Sequence, residues 1–359
     1  MTGRPPSAPY DAAGWPAVSV VMPVLNEERH LRTAVSQVLA QEYPGPLELV
    51  MAVGPSKDRT QEIAEEIVAG DSRVRLIPNP SGITPSALNA AIRAARYDVI
   101  VRVDGHGILS PGYIRRAVEV LAETGADNVG GVMAAEGDPG FEEAAARAYS
   151  TPLGLGGGRF HVGGQAGPVD SVYLGVFRRQ TLDRLGGFDD EFERAQDWEL
   201  NHRIRQAGGT VWFTPDLRVT YRPRSNLRAL IRQFYLTGKW RRGIGRSHPG
   251  TFNVRYLAPP LAVLGCAVGL VVGLVGAFAG LPWLLLGFVI PVVYALGVIA
   301  GSILFGRGMS LAGRLWLPVV AATMHMTWGA GFLVSPRSLG RRTPNPPSTH
   351  STPSGPSPR

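Results

Sequence analysis

Two acidic clusters stand apart in the first 200 residues of this chain: Asp104-Gly105-His106 and Gln196-Asp197-Trp198-Glu199. Carboxylates separated in this way, in a polar half-chain, point to an enzyme that handles a nucleotide-linked substrate. They are followed by a stretch of opposite character, Leu257 to Gly306, which contains no charged residue. The combination predicts a catalytic domain held at a bilayer and acting on something that resides there.

The elements that must position these groups follow from hydrophobic patterning. Val18–Met22, Leu47–Val53, Val74–Ile77 and Val99–Val103 are short apolar strands. Between them lie helices: Leu31, Val35, Val38 and Leu39 form one apolar stripe, as do Leu88, Ile92 and Ala95. Thr84-Pro85 and Ser110-Pro111 read as a cap followed by a first-turn proline. Strand and helix alternation with near-continuous apolar strands predicts an α/β fold built on a mostly parallel sheet covered on both faces. Ligands of such sheets bind beyond the carboxyl ends of the strands. Pro23–Glu28, Gly54–Asp58 and Asp104–His106 fall there. None is a GxGxxG or phosphate-loop motif, which argues against a dinucleotide oxidoreductase or a P-loop ATPase. Residues 137–165 are rich in Gly and Ala and read as a loop, including Gly154–Gly158.

Leu257–Ala279, Leu281–Phe305 and Leu315–Val334 are each about long enough to cross roughly 30 Å of hydrocarbon as helix. The short joint at Gly280-Leu281-Pro282 predicts a hairpin for the first two. The net charge of +8 is concentrated just before them, from Arg222 to Arg255. Basic residues beside a membrane segment belong on the cytoplasmic side, so no nucleic-acid partner is expected. The lone Cys266 permits neither an internal disulfide nor a cysteine metal site. The organisation expected is a leader over 1–16, a catalytic domain over 17–225, a basic interfacial helical segment over 226–256, a membrane region over 257–334 and a disordered tail over 335–359.

Five stretches in fixed order resemble the inverting family 2 glycosyltransferases, most nearly the branch that builds bacterial exopolysaccharide of the succinoglycan type. The resemblance runs from about Val18 to Val334 and implies a GT-A-like, Rossmann-type domain. Val18–Glu28 matches the strand and turn that border the nucleotide, through Pro23, Asn26 and Glu27. Ala52–Thr60 matches the next strand end. Asp58 is kept there, but Val53 replaces the aspartate that reads the base, and valine cannot accept a hydrogen bond. Val101–His106 matches the metal-binding turn. There Asp104 offers a hard oxygen ligand between a divalent cation and a diphosphate, and His106 suits Mn²⁺ better than Mg²⁺. Asn89 is matched as a residue that holds this loop. Val169–Arg179 is matched to the acceptor side, where Asp170 would orient the acceptor and Arg178 or Arg179 would meet phosphate. In Phe192–Arg203, Asp197 is matched to the general base that takes the acceptor proton, kept ionised by a helix N-terminus. Glu199 is a second candidate, or pairs with Arg203.

Arg232–Arg242 resembles the Gln…Arg-Trp element of processive relatives, with Lys239 in place of the arginine. Gln233 and Trp240 would bound the acceptor site, and Arg241 and Arg242 would contact diphosphate or lipid phosphate. His325, within an apolar stretch, also matches the branch.

The resemblance implies inverting transfer from a nucleotide diphosphate sugar, of UDP type, with Mg²⁺ or Mn²⁺. The implied acceptor is a membrane-bound saccharide, linked to polyprenyl diphosphate, at the cytoplasmic face of a bacterial inner membrane. A processive synthase of the same fold, or a scaffold that has lost activity, are the alternatives.

Overall fold

The computed structural model of the protein describes residues 14–154, 158–248, 251 and 254–339. The sequence readings for the leader before residue 14, for 155–157 and for the tail beyond 339 lie outside the described residues.

In chain order the elements are β1 (Val18–Val24), α1 (Leu31–Leu39), β2 (Leu47–Val53), α2 (Thr60–Gly70), β3 (Val74–Pro78), α3 (Thr84–Ala94) and β4 (Val99–Arg102). Then come β5 (Ile108–Leu109), α4 (Tyr113–Thr124), β6 (Asn128–Ala135), α5 (Phe141–Tyr149), α6 (Arg159–Val162), β7 (Gly167–Pro168) and β8 (Tyr173–Arg178). The last are α7 (Arg179–Leu185), α8 (Gln196–Gln206), β9 (Val211–Tyr221), α9 (Leu227–Ser247), α10 (Ala258–Ala279), α11 (Val289–Phe305) and α12 (Leu311–Leu333).

The strands form one sheet in the order β3-β2-β1-β4-β8-β6-β9-β5, with β7 beside β9. It is mixed rather than mostly parallel. The β3-β2-β1-β4 half is parallel, as the alternation of strands and helices requires. Past β4 the neighbour is β8, which runs antiparallel to both β4 and β6. The long excursion from β4 to β8 allows this reversal, and local patterning does not register it. Two apolar clusters, one on each face, cover the sheet. Leu31, Val35 and Val38 belong to the first, and Leu88, Ile92, Leu182 and Leu200 to the second.

Several local expectations change. α3 begins at Thr84 with Ile83 preceding it, and α4 begins after Gly112, in neither case with a side-chain cap. The Gly/Ala-rich stretch read as a loop contains α5, whose alanines 144, 145 and 148 are buried. β6 was not anticipated, because its Gly130-Gly131 pair breaks the strand signal. A Cβ on Gly131 would lie 1.9 Å from the Leu217 carbonyl oxygen, so the close approach of β9 demands glycine there.

Two helical stretches, Val254–Ala279 and Pro282–Phe305, are long and apolar enough to cross a membrane. Their side chains point outward: Phe278 is 89% exposed, and Leu286 and Ile303 71%. The third expected span coincides with α12, which packs one face on protein. α12 buries Leu317, Val320, Met324 and Phe332 in a cluster with Tyr149 of α5 and Phe234 of α9. Its start is tied to α5, where the Ser310 amide and hydroxyl donate to Glu143. Against α9 the backbones nearly touch: a Cβ on Gly331 would sit 2.0 Å from the Tyr235 carbonyl oxygen, and one on Gly238 would sit 2.0 Å from that of Trp328. α12 is thus the strut joining the hairpin to the sheet domain.

Candidate active site

The parallel strands end at one crevice. Asn26 leaves β1 in the left-handed region, φ 56°, which its short polar side chain tolerates. Its Oδ1 accepts from Lys57 N–H at 2.8 Å, while its own N–H donates to the Ser56 hydroxyl at 3.0 Å. Asp58 accepts from Thr60 N–H at 3.1 Å and from Glu28 N–H at 3.3 Å. Thr60 in turn accepts from Glu27 N–H at 2.7 Å. Asn26, Glu27 and Asp58 therefore lace the ends of β1 and β2 together. Pro23 lies in register with Ala52 within that pair. Val53 is buried and offers the crevice no polar group.

Asp104 and His106 follow β4 in a turn closed by the Gly107 N–H to Asp104 carbonyl bond, 2.8 Å. His106 Nδ1 is 2.7 Å from Glu27 Oε1. A carboxylate only accepts, so Nδ1 carries the proton and Nε2 is left to ligate. The hydrogen bond to Glu27 raises the His106 pKa against the opposing effect of burial.

Asp197 enters the same place from α8. The residue before α8, Ala195, is itself left-handed at φ 60°. The strongest organising contact is one the sequence reading did not assign. Arg102, the one charged residue of β4, has a side chain only 3% exposed. It donates to Asp104 Oδ1 from Nε at 3.1 Å, and to Asp197 from Nη1. Its guanidinium also lies 5.7 Å from the centre of the Phe188 ring. Burial pushes Asp197 up to about 6; Arg102 opposes this and the charge of Asp104 adds to it. The Leu174 N–H bond also helps to hold its charged form. Desolvation thus outweighs the helix N-terminus expected to keep it fully acidic. The lone charge in an apolar strand was the signal available for Arg102.

Asn89 serves a different loop from the one expected. Its amide exchanges two hydrogen bonds with the backbone of Phe188, at 2.7 and 2.8 Å, and reaches Asp190 at 3.2 Å. It fixes the turn that carries the ring under Arg102. Glu199 takes the second of its two readings, the pair with Arg203: it is fully buried, with two 2.7 Å bonds to Arg203 and His248 at 3.4 Å. Arg178 and Arg179, expected to meet phosphate, are bonded to backbone carbonyls. Arg178 donates to the carbonyls of Ala126 and Leu121, and Arg179 to those of Tyr97, Ile92 and Ala95. Asp170 is exposed beside Arg205, 3.5 Å away.

On α9, Gln233 donates to the Tyr221 hydroxyl at 3.0 Å. Trp240 packs near Phe192, ring centres 6.2 Å apart. Arg241 is held between the rings of Trp198 and Tyr256, 4.9 and 4.3 Å from their centres. Arg242 caps the end of α12 by donating to Phe332 and Leu333 carbonyls at 3.0 and 2.7 Å, so it is committed to structure. His325 is likewise committed, between the Tyr294 hydroxyl at 3.1 Å and the Leu153 carbonyl at 2.7 Å.

Among the described residues no group of three or more His, Cys, Asp or Glu side chains could by itself hold a metal ion. The crevice offers separate donors, Asp104 bonded to Arg102 and His106 bonded to Glu27. A cation there would need further oxygens, such as those of a diphosphate.

Residues 19–186 match the family model described as glycosyl transferase family 2. The succinoglycan biosynthesis protein ExoA of Rhizobium meliloti (strain 1021) is 32% identical over 320 residues, spanning 87% of this chain and 93% of that protein. A dolichyl N-acetyl-alpha-D-glucosaminyl phosphate 3-beta-D-2,3-diacetamido-2,3-dideoxy-beta-D-glucuronosyltransferase of Methanococcus voltae is 24% identical, over 67% of this chain and 77% of its own length. In fold, the chain is similar to a mannosyltransferase from Pyrobaculum calidifontis solved with GDP-Man and Mn²⁺. Its TM-score is 0.53 at 20% identity, covering 92% of this chain and 90% of that one.

Proposed function

Because this chain belongs to glycosyl transferase family 2, we propose residues and an acceptor for the activity that membership brings. That activity is inverting transfer of a sugar from a nucleotide diphosphate sugar to an acceptor, in polysaccharide or glycan biosynthesis.

Asp197 is the general base. Inverting displacement needs one group to take the acceptor proton as the diphosphate leaves. Asp197 is a carboxylate poised near 6, held by Arg102 beside Asp104. This Arg102-centred pair is the observation that carries the reading, because it sets the base next to the donor-binding strand ends. Asp104, with Glu27 and His106 around it, would hold a divalent cation on the diphosphate. When bound, Mg²⁺ or Mn²⁺ supplies positive charge to the departing diphosphate. Pro23, Asn26 and Asp58 shape the nucleotide side. Asn89 positions Arg102 through Phe188. Gln233, Trp240 and Arg241 flank the acceptor side from α9.

The acceptor is a saccharide linked to polyprenyl diphosphate, and the enzyme sits at the cytoplasmic face of a bacterial inner membrane. The two outward-facing apolar stretches support this, as does their attachment through α12 to the crevice-bearing domain. So does the ExoA relative, which by its name serves succinoglycan biosynthesis. The donor is taken to be of UDP type, with a group other than Val53 reading the base.

The test is product stereochemistry. An α-linked nucleotide sugar should yield a β-linked product in the lipid fraction, abolished by chelation and restored by Mn²⁺. Retention of the α configuration, or label found only in free sugar, would contradict the reading.

A further inference from the structure

Successive residues of a helix point about 100° apart, so α8 gives Asp197 to Arg102 and Trp198 to a different neighbour, α9. The Trp198 ring lies parallel to that of His202, one turn on, with centres 5.5 Å and planes 2° apart. Arg241 of α9 sets its guanidinium 4.9 Å from the centre of the Trp198 ring. The same guanidinium lies 4.3 Å from the centre of the Tyr256 ring. Tyr256 belongs to Val254–Leu257, the turn that opens the first apolar stretch, and packs near Trp328 of α12, ring centres 6.4 Å apart. A second contact ties α8 to α9. His248, which closes α9, meets the His202 ring with centres 5.0 Å apart and places Nε2 3.4 Å from Glu199 Oε1.

One guanidinium thus bridges the root of the hairpin and the residue next to the base. Arg241 Nη1 is buried with no hydrogen-bond partner among the described residues, so the two ring faces are what hold this group. A planar guanidinium stacks on such faces as an ammonium does not. Phe192 lies alongside, its ring centre 6.2 Å from that of Trp240 and 5.9 Å from that of His248. The link leading into α8 therefore also rests on α9. The first turn of α8 has no side-chain cap, so packing rather than capping must fix where Asp197 points. A reacting group works only within a narrow range of positions.

We propose that Arg241 is a positioning residue for Asp197. Through Tyr256 and Trp198 it couples the turn where the apolar hairpin begins to the first turn of α8, so that seating the hairpin aligns the base. This rests on the reading of Asp197 as the base, and it gives Arg241 a role other than contact with acceptor phosphate.

The full chain in detergent micelles with native lipid extract is assayed for nucleoside diphosphate release, and its amide hydrogen exchange is followed in parallel. Arg241→Met and Tyr256→Ala should each lower kcat by about tenfold or more and leave both KM values unchanged. The double variant should be no slower than the worse single variant, because both break one linkage. Tyr256→Phe keeps the ring and should recover most of what Tyr256→Ala loses. In both single variants the amides of α8 should exchange faster, while those of α1 and α3 keep their protection. A raised acceptor KM at unchanged kcat would overturn the proposal by making Arg241 a phosphate ligand. Losses that multiply in the double variant, unchanged exchange in α8, or faster exchange throughout the chain would overturn it as well. The exchange arm needs no turnover. Undiminished release by Asp197→Asn would sink the base reading, whereas unchanged α8 exchange in Arg241→Met would sink the coupling, so the two failures are distinguishable.

Discussion

Arg102 and Asp197 stand 95 positions apart in sequence and share one buried ion pair, while the same guanidinium bonds Asp104 at 3.1 Å. A single fixed cation thereby separates the carboxylate assigned to the donor from the one assigned to the acceptor. Without it the two would face each other across a poorly solvated gap.

Arg102→Met should be severely damaging on two counts. Removing one partner of a buried pair costs about 3–5 kcal/mol, and kcat should fall by about 10² or more as the base loses its alignment. Arg102→Lys keeps the charge but not the fork, and should restore the thermal midpoint more than kcat. Equal recovery of both would contradict a positioning role. Thermal unfolding and steady-state rates on both variants decide it.

The pH dependence has opposite signs for activity and stability. Asp197 must be ionised to accept a proton, so kcat/KM should fall about tenfold per unit as pH drops below about 6. For stability, its pKa in the fold lies above the ordinary 3.8, so the folded state binds the proton more tightly. That contribution is fully present below about pH 4 and is lost as pH rises through about 6. The stability of Asp197→Asn relative to the parent should therefore improve as pH rises from about 4 to about 7.5, read as the difference of their thermal midpoints.

Much of the catalytic half was legible from sequence. The parallel strands, the crevice at their ends and the positions of Asp104 and Asp197 follow from periodicity and resemblance. Arg102 as a link was not, because a residue pair 95 positions apart leaves no local signal. The reversal at β8 was hidden for the same reason: strand direction is set by where the chain returns. α12 divides its apolar residues between a face packed on Phe234 and Tyr149 and an exposed face with Leu315 and Val319, a division that composition does not reveal. Arg178, Arg179 and Arg242 looked like phosphate ligands because their charge is visible in sequence and their carbonyl partners are not.

The α9–α12 joint is packed through glycine. A Cβ at Gly331 would fall 2.0 Å from the Tyr235 carbonyl oxygen, so Gly331→Val should force the helices apart. Overpacking of this kind costs about 1–3 kcal/mol. The thermal midpoint should drop with it, while Gly308→Ala, in open space but at φ 80°, should cost less. Comparable losses would refute the tight approach.

Val293 is 61% exposed on α11. On a water-facing helix Val293→Asp would be almost silent. At a bilayer centre an aspartate costs about 2.5–3.5 kcal/mol. The carbonate-resistant membrane fraction should therefore fall for this variant. No change would argue that this face does not meet lipid.

In the proposed mechanism Asp197 removes the acceptor proton at a crevice where Asp104 holds the donor. The most direct test is nucleoside diphosphate release by the detergent-solubilised full chain, with native lipid extract, Mn²⁺ and a panel of nucleotide sugars. Asp197→Asn and Asp104→Asn are run beside it. Release is expected with one donor, reduced by about 10²–10⁴ in Asp197→Asn while that variant still binds the donor, and lost in Asp104→Asn together with donor binding. Undiminished release by Asp197→Asn would contradict it.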